Sequence, residues 1–166
     1  ARVVGLAGGP QKCDWLRRVG VDEVMDYRDG SDLATALARA FPQGIDLFFD
    51  TLGNHMLETA LPHMSVRGRV VVCGNTMDAN TPLEQRPGVR NLRALIAKRL
   101  RVEGFLVLDY QARFPEAWTF LREMVDAGQL HCMHSLEHGL AKLPAAFCSL
   151  FTDNPLGRKM VACDVN

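Results

Sequence analysis

The segment Ala7-Gly-Gly-Pro-Gln-Lys12 closes a short β-branched run and opens a helical pattern. In a parallel α/β sheet that junction is where ligands bind. Two glycines let the backbone come close, and Lys12 falls on the first helical turn. A site that reads a free ribose 2′-hydroxyl places Asp or Glu at the end of this strand, and no acid stands here. A 2′-phosphate would be repelled by an acid and attracted by a lysine and helix N-terminal amides. Two readings stay open: a site for a phosphorylated ribose, or a plain turn with a solvated lysine. Arg17 and Arg28 are near enough in sequence to help, although their direction is not set by the sequence.

Comparable junctions follow at Asp26-Tyr27, Asp50-Thr-Leu-Gly53 and Cys73-Gly-Asn75. Tyr27 suits stacking on a base or bonding a phosphate, and equally a buried tyrosine with a satisfied hydroxyl. Gly53 and Gly74 fit close approach to a ligand or simple strand termination. Each signal is weak by itself, and their recurrence at successive strand ends strengthens them.

Other groupings point elsewhere less well. His131, Cys132, His134 and His138 invite a zinc reading, but no Cys or His pair elsewhere completes a tetrahedral set, and a polar surface turn is expected. No metal is assigned. His55 and His63 read as solvated or core histidines. No GxSxG motif or Ser-His-Asp arrangement supports hydrolysis. The basic cluster from Arg86 to Arg101 lacks interleaved aromatics and reads as a solvated face or a phosphate rim rather than a nucleic-acid surface.

The elements that must position these residues alternate. Strands are expected at Arg2–Ala7, Glu23–Asp26, Ile45–Asp50, Gly68–Cys73, Arg101–Val107 and Arg158–Cys163. Helices are expected after Pro10, after Asp32 as N-cap, through Met56 to Leu61, after Asn91, along Phe114 to Val125 and from Leu143 to Phe151. The stripe Phe114, Trp118, Leu121 and Val125 reads as core. Short strands alternating with helices imply parallel pairing and a doubly wound α/β sheet. Residues 75–90, rich in Pro, Asn and Gly, read as a functional loop.

The 166 residues balance 19 lysines and arginines against 19 acids, which leaves no field to draw in nucleic acid or an anionic membrane. No apolar run is long enough to span a bilayer. The five scattered cysteines suit neither a disulfide framework nor a CxxC site, so reduced thiols and a cytoplasmic setting are expected. Because the chain opens at Ala1 and runs directly into a strand, it reads as part of a longer protein.

The series AGGxxK, DY, DTLG, VVCG, NL…KRLRVEGF and NxxGRK resembles the medium-chain dehydrogenase/reductase superfamily. Within it the chain is similar to the zinc-independent, NADP-dependent branch of leukotriene B4 dehydrogenase/prostaglandin reductases and 2-alkenal reductases. The resemblance implies a Rossmann-like domain lacking its first strand and glycine-rich loop, so that the strands at Arg2–Ala7 and Ile45–Asp50 each lose a neighbour. Residues 1–130 would be the partial NADP(H)-binding domain and 131–166 a segment returning toward a catalytic domain. An isolated fragment would be inactive.

By the same resemblance, Gly9 would lie at the adenosine phosphate end, and Lys12 and Tyr27 would hold the 2′-phosphate. Cys73, Gly74 and Asn75 would line adenosine and ribose. Phe105, Leu106 and Val107 would wall the nicotinamide pocket, and Asn154 would contact the nicotinamide end. Tyr110 is the candidate catalytic group, hydrogen-bonding the carbonyl of a small-molecule substrate. The family's Asn-Val-Gly-Gly turn is here Thr51-Leu-Gly-Asn54. The implied reaction is NADPH-dependent reduction of the C=C bond of an enal or enone. The implied assembly is a homodimer through the strand Arg101–Val107. A non-catalytic NADPH-binding module, a quinone reductase and a methyltransferase-like adenosine site are the rival readings.

Overall fold

The structure is a computed structural model and describes residues 1–153 and 155–163. The chain divides into two compact units, Ala1–Gly30 with Ala112–Asn166, and Ser31–Gln111.

The first unit begins with β1 (Val4–Ala7), α1 (Pro10–Arg18) and β2 (Glu23–Asp26). The two strands run parallel, with Val4 opposite Glu23 and Ala7 opposite Asp26. Pro10 occupies the first turn of α1, where its missing N–H leaves no bond unmade. The helix buries Cys13. It also lays Leu16 on Gly5, where a Cβ would stand 3.1 Å from the Leu16 Cδ1. A side chain at position 5 would hold the helix off the strand.

The second unit carries α2 (Leu33–Ala40), β3 (Ile45–Asp50), α3 (Asn54–Ala60), β4 (Met64–Val72), α4 (Arg93–Lys98) and β5 (Arg101–Gly104). As expected, Asp32 caps α2, its carboxylate accepting from the Ala34 N–H at 3.2 Å. The sheet order is β3-β4-β5, all parallel. Leu37, Ala40, Ile45, Met56, Leu61, Met64 and Val70 form its core. β4 starts four residues before Gly68, because a register shift between Ile45 and Leu47 lets Met64 pair with Ile45. Arg67, at φ 64°, absorbs the irregularity. β5 ends at Gly104, so Phe105–Val107 lie beyond the strand rather than in it. Among the described residues β1 pairs only with β2, and β3 only with β4.

The rest of the first unit contains α5 (Phe114–Asp126), β6 (His134–His138), α6 (Leu143–Thr152) and β7 (Arg158–Ala162). Where a polar turn was expected, His134–His138 is a strand parallel to β7. It is braced by an ion pair of 2.7 Å between Lys159 and Glu137. The Phe114–Val125 helix forms as expected, but its stripe is not core. Trp118 is 66% exposed, and Leu121 and Val125 are exposed with it, because no described element covers that face. The parallel pairs with intervening helices make a Rossmann-like α/β fold.

Candidate functional site

In the first unit the turn after β1 is built from Gly8 and Gly9. Gly9 is the N-cap of α1 at φ 95°, a backbone conformation that glycine adopts without strain. Its N–H donates to the Asp26 carboxylate at 2.9 Å, and the same oxygen accepts the Arg28 N–H at 2.9 Å. The Tyr27 N–H donates to the Ala7 carbonyl at 3.0 Å. These bonds fasten the ends of β1 and β2 together.

Gly8 is buried beneath side chains from the β2 end. A Cβ there would stand 2.8 Å from both the Tyr27 hydroxyl and the Arg28 Nε. The Arg28 guanidinium lies over the Tyr27 ring, 5.5 Å from its centroid. Of the two arginines the sequence left without a direction, Arg17 is paired with Asp14 at 2.7 Å, and Arg28 reaches the turn. Lys12 sits on the first turn of α1, whose N-terminus receives no side-chain cap among the described residues. The first-turn amides of Gln11 and Lys12 are thus left for an anion.

Asp26 is the residue that sequence reasoning missed. No acid follows β1 in the chain, yet one reaches that turn from the neighbouring strand. The available signal was parallel register, which sets Asp26 opposite Ala7. Both N–H bonds go to one oxygen, Oδ1, so the carboxylate works as a clasp for the turn. Burial and the Asp26 carboxylate together push the Cys13 thiol above its ordinary pKa.

In the second unit the ends of β3 and β4 are knit together. Asp50 is 1% exposed. Its Oδ1 accepts the Leu52 and Gly53 N–H groups at 3.0 and 2.9 Å. Its carbonyl accepts the Cys73 N–H at 2.7 Å and the Gly74 N–H at 3.2 Å. Among the described residues its Oδ2 has no hydrogen-bond partner. The space left by Gly74 is taken by the Thr51 carbonyl, 3.0 Å from where a Cβ would be, and that left by Gly53 is taken by Asn75. These two glycines therefore serve the approach of one turn to the other. Asn54, at φ 30°, donates from Nδ2 to Asp78 and so ties the start of α3 to the loop after β4.

Cys73 and Asn75 are exposed at this end of the sheet. The Phe105 N–H donates to the Val72 carbonyl at 2.9 Å, which carries Phe105 just past the end of β5. Its ring stacks on Tyr110 with centroids 5.3 Å apart. Leu106, Val107 and Tyr110 are about half exposed. In the first unit the structure brings Gly8, Gly9, Tyr27 and Arg28 together at the turn, with Lys12 on the adjoining first turn of α1. In the second it gathers Cys73, Gly74 and Asn75, and Phe105 to Tyr110, at the strand ends. Asn154 lies outside the described residues. Among the described residues no cluster of three or more His, Cys, Asp or Glu could hold a metal ion, and no helix is long and apolar enough to cross a membrane.

Residues 1–123 match the family of zinc-binding dehydrogenases. The chain belongs to that family. Within the medium-chain dehydrogenase/reductase superfamily it groups with the NADP-dependent reductase branch. It is 41% identical over 160 residues to the NADP(+)-dependent 2-alkenal reductase of Nicotiana tabacum, covering 96% of this chain and 46% of that one. It is 37% identical over 161 residues to (+)-pulegone reductase of Mentha piperita, covering 96% of this chain and 46% of that one. The crystal structure of CurA in complex with NADPH from Vibrio vulnificus superposes with a TM-score of 0.85 at 29% identity, over 99% of this chain and 50% of that one. The chain spans about half the length of the curated relatives it matches.

Proposed function

We propose that this chain is the dinucleotide-binding part of an NADPH-dependent reductase acting on the C=C bond of α,β-unsaturated aldehydes or ketones. The observation that carries the cofactor half is the β1 turn. There the Tyr27 hydroxyl and the Arg28 Nε close over Gly8, Lys12 follows on the first turn of α1, and the Asp26 carboxylate is engaged by backbone N–H groups. This donor set fits a phosphorylated ribose: cations and uncapped helix amides complement a phosphate monoester. The relatives named 2-alkenal reductase and pulegone reductase support the substrate half.

In this reading Lys12 and Tyr27 hold the 2′-phosphate. Gly9 gives close approach, its own N–H being engaged by Asp26. Cys73, Gly74 and Asn75 line the adenosine and ribose, Phe105, Leu106 and Val107 wall the nicotinamide, and Asn154 contacts that end. When bound, the dinucleotide would supply a hydride for the substrate's β-carbon, and a proton taken up from solvent at the α-carbon would complete the reduction of the C=C bond. Tyr110, braced by the Phe105 ring, donates its O–H to the substrate carbonyl and steadies the negative charge that develops on that oxygen. Residues 1–130 form the nucleotide-binding portion and 131–166 return toward a catalytic domain. The reaction uses no zinc, the protein works in the cytoplasm, and it dimerises through β5, whose four residues are all exposed.

The test is turnover by the full-length protein with NADPH and a simple 2-alkenal. The expected result is NADPH oxidation matched by loss of the conjugated double bond, with the aldehyde retained. NADPH binding without turnover would instead mark a non-catalytic module, and turnover with quinones alone a quinone reductase.

A further inference from the structure

We infer that Arg28 is a second cation for the ribose phosphate beside Lys12, set on the Gly8 turn and packed on the Tyr27 ring; the inference rests on the NADPH reading above and names a specificity residue for it. Three observations on the first unit converge. The Arg28 Nε lies against the Gly8 backbone, 2.8 Å from where a Cβ would be, so one edge of the side chain sits on the turn. The Tyr27 ring supports the guanidinium at 5.5 Å, which leaves its N–H edge available while the planar face is occupied. The Arg28 backbone N–H is fixed by the Asp26 carboxylate, which also fixes Gly9, so the arginine and the turn it covers share one anchor.

Electrostatics favours the same role. Among the described residues no acid forms an ion pair with the Arg28 side chain, whereas Arg17, the other nearby arginine, is paired with Asp14. An unpaired guanidinium presents a planar fork that matches two oxygens of a phosphate monoester, a geometry a lysine cannot offer. The Asp26 carboxylate at the turn has its Oδ1 bonded to two backbone amides. Arg28 is exposed, so solvent screens its charge and the effect is moderate in size.

The experiment measures binding of 2′,5′-ADP and 5′-AMP to the full-length protein by calorimetry, with Arg28→Lys and Arg28→Met beside wild type. Methionine keeps apolar packing on the Tyr27 ring and removes the charge; lysine keeps a charge and loses the fork. The expected result for Arg28→Met is about tenfold weaker binding of 2′,5′-ADP with 5′-AMP unchanged, and a shallower dependence on salt. Arg28→Lys should fall between Arg28→Met and wild type. Equal loss on both ligands, or no loss on either, overturns the inference and makes Arg28 a packing residue or a bystander. Wild type that binds the two ligands equally would instead overturn the NADPH reading itself, and the two failures are thereby told apart.

Discussion

The Asp26 carboxylate, at the end of β2, accepts the Gly9 N–H of the turn after β1 at 2.9 Å. That bond, with the Arg28 N–H on the same oxygen, sets the shape of the candidate phosphate site. Hydrogen bonds to a charged acceptor contribute about 1.5–3 kcal/mol each, less where water competes. Asp26→Ala is therefore expected to lower stability by about 2 kcal/mol and to loosen NADPH binding. Asp26→Asn keeps an acceptor oxygen and should lose less. Denaturant midpoints of the full-length variants check the order.

Gly8 lies under the Tyr27 hydroxyl and the Arg28 Nε, each 2.8 Å from the place of a Cβ. Gly8→Ala must displace both side chains. Overpacking of this kind costs about 1–3 kcal/mol, toward the lower end here because the Arg28 side chain is flexible. Affinity for NADPH should fall more than affinity for NADH, since the displaced groups are those assigned to the phosphate. Equal loss for both would remove Tyr27 and Arg28 from that assignment.

Thiol reactivity should separate the cysteines. Cys13 is buried, and its pKa is raised by burial first and the Asp26 carboxylate second, so little thiolate forms. Cys73 is exposed at the end of β4. Iodoacetamide at neutral pH should label Cys73 and spare Cys13 until the protein is unfolded, and NADPH should slow labelling of Cys73. Peptide mass mapping reads both. Early labelling of Cys13 would contradict its burial on the inner face of α1.

His63 is held below the ordinary histidine pKa, by burial first and the Lys98 ammonium second, with Asp32 opposing. The folded chain thus gives up this proton more readily than the unfolded one. Below the ordinary histidine value the unfolded state binds more protons, so stability is full above that value and is lost as pH falls through the lowered one. His63→Gln should show a smaller acid-side loss when denaturant midpoints at about pH 7.5 and pH 5.5 are compared. A variant whose loss equals that of wild type would place the acid sensitivity elsewhere.

Much of this was legible in the sequence. Gly-Gly-Pro marks the end of β1 and the start of α1, and Asp32 marks the start of α2, because those residue types carry local backbone preferences that tertiary context did not override. What escaped was non-local. Asp26 reaches Gly9 across a strand pair, a contact fixed by register rather than by spacing along the chain. β6 reads His-Ser-Leu-Glu-His, with one aliphatic residue in five, so alternation could not announce it; the pairing with β7 and the Lys159–Glu137 contact hold it. The stripe on α5 predicted the helix correctly and its burial wrongly, since period fixes a face and not what covers it. At the site, the sequence supplied Lys12 and Tyr27 but could not aim Arg28.

The most direct test is the ratio of NADH to NADPH dissociation constants for the full-length protein, before and after Lys12→Gln. A cation-lined turn predicts a strong preference for NADPH in wild type. It also predicts a fall of about tenfold or more in that preference for the variant, with NADH affinity unchanged. Equal affinity for the two dinucleotides in wild type, with Lys12→Gln altering neither, would contradict the assignment of this turn to a phosphorylated ribose.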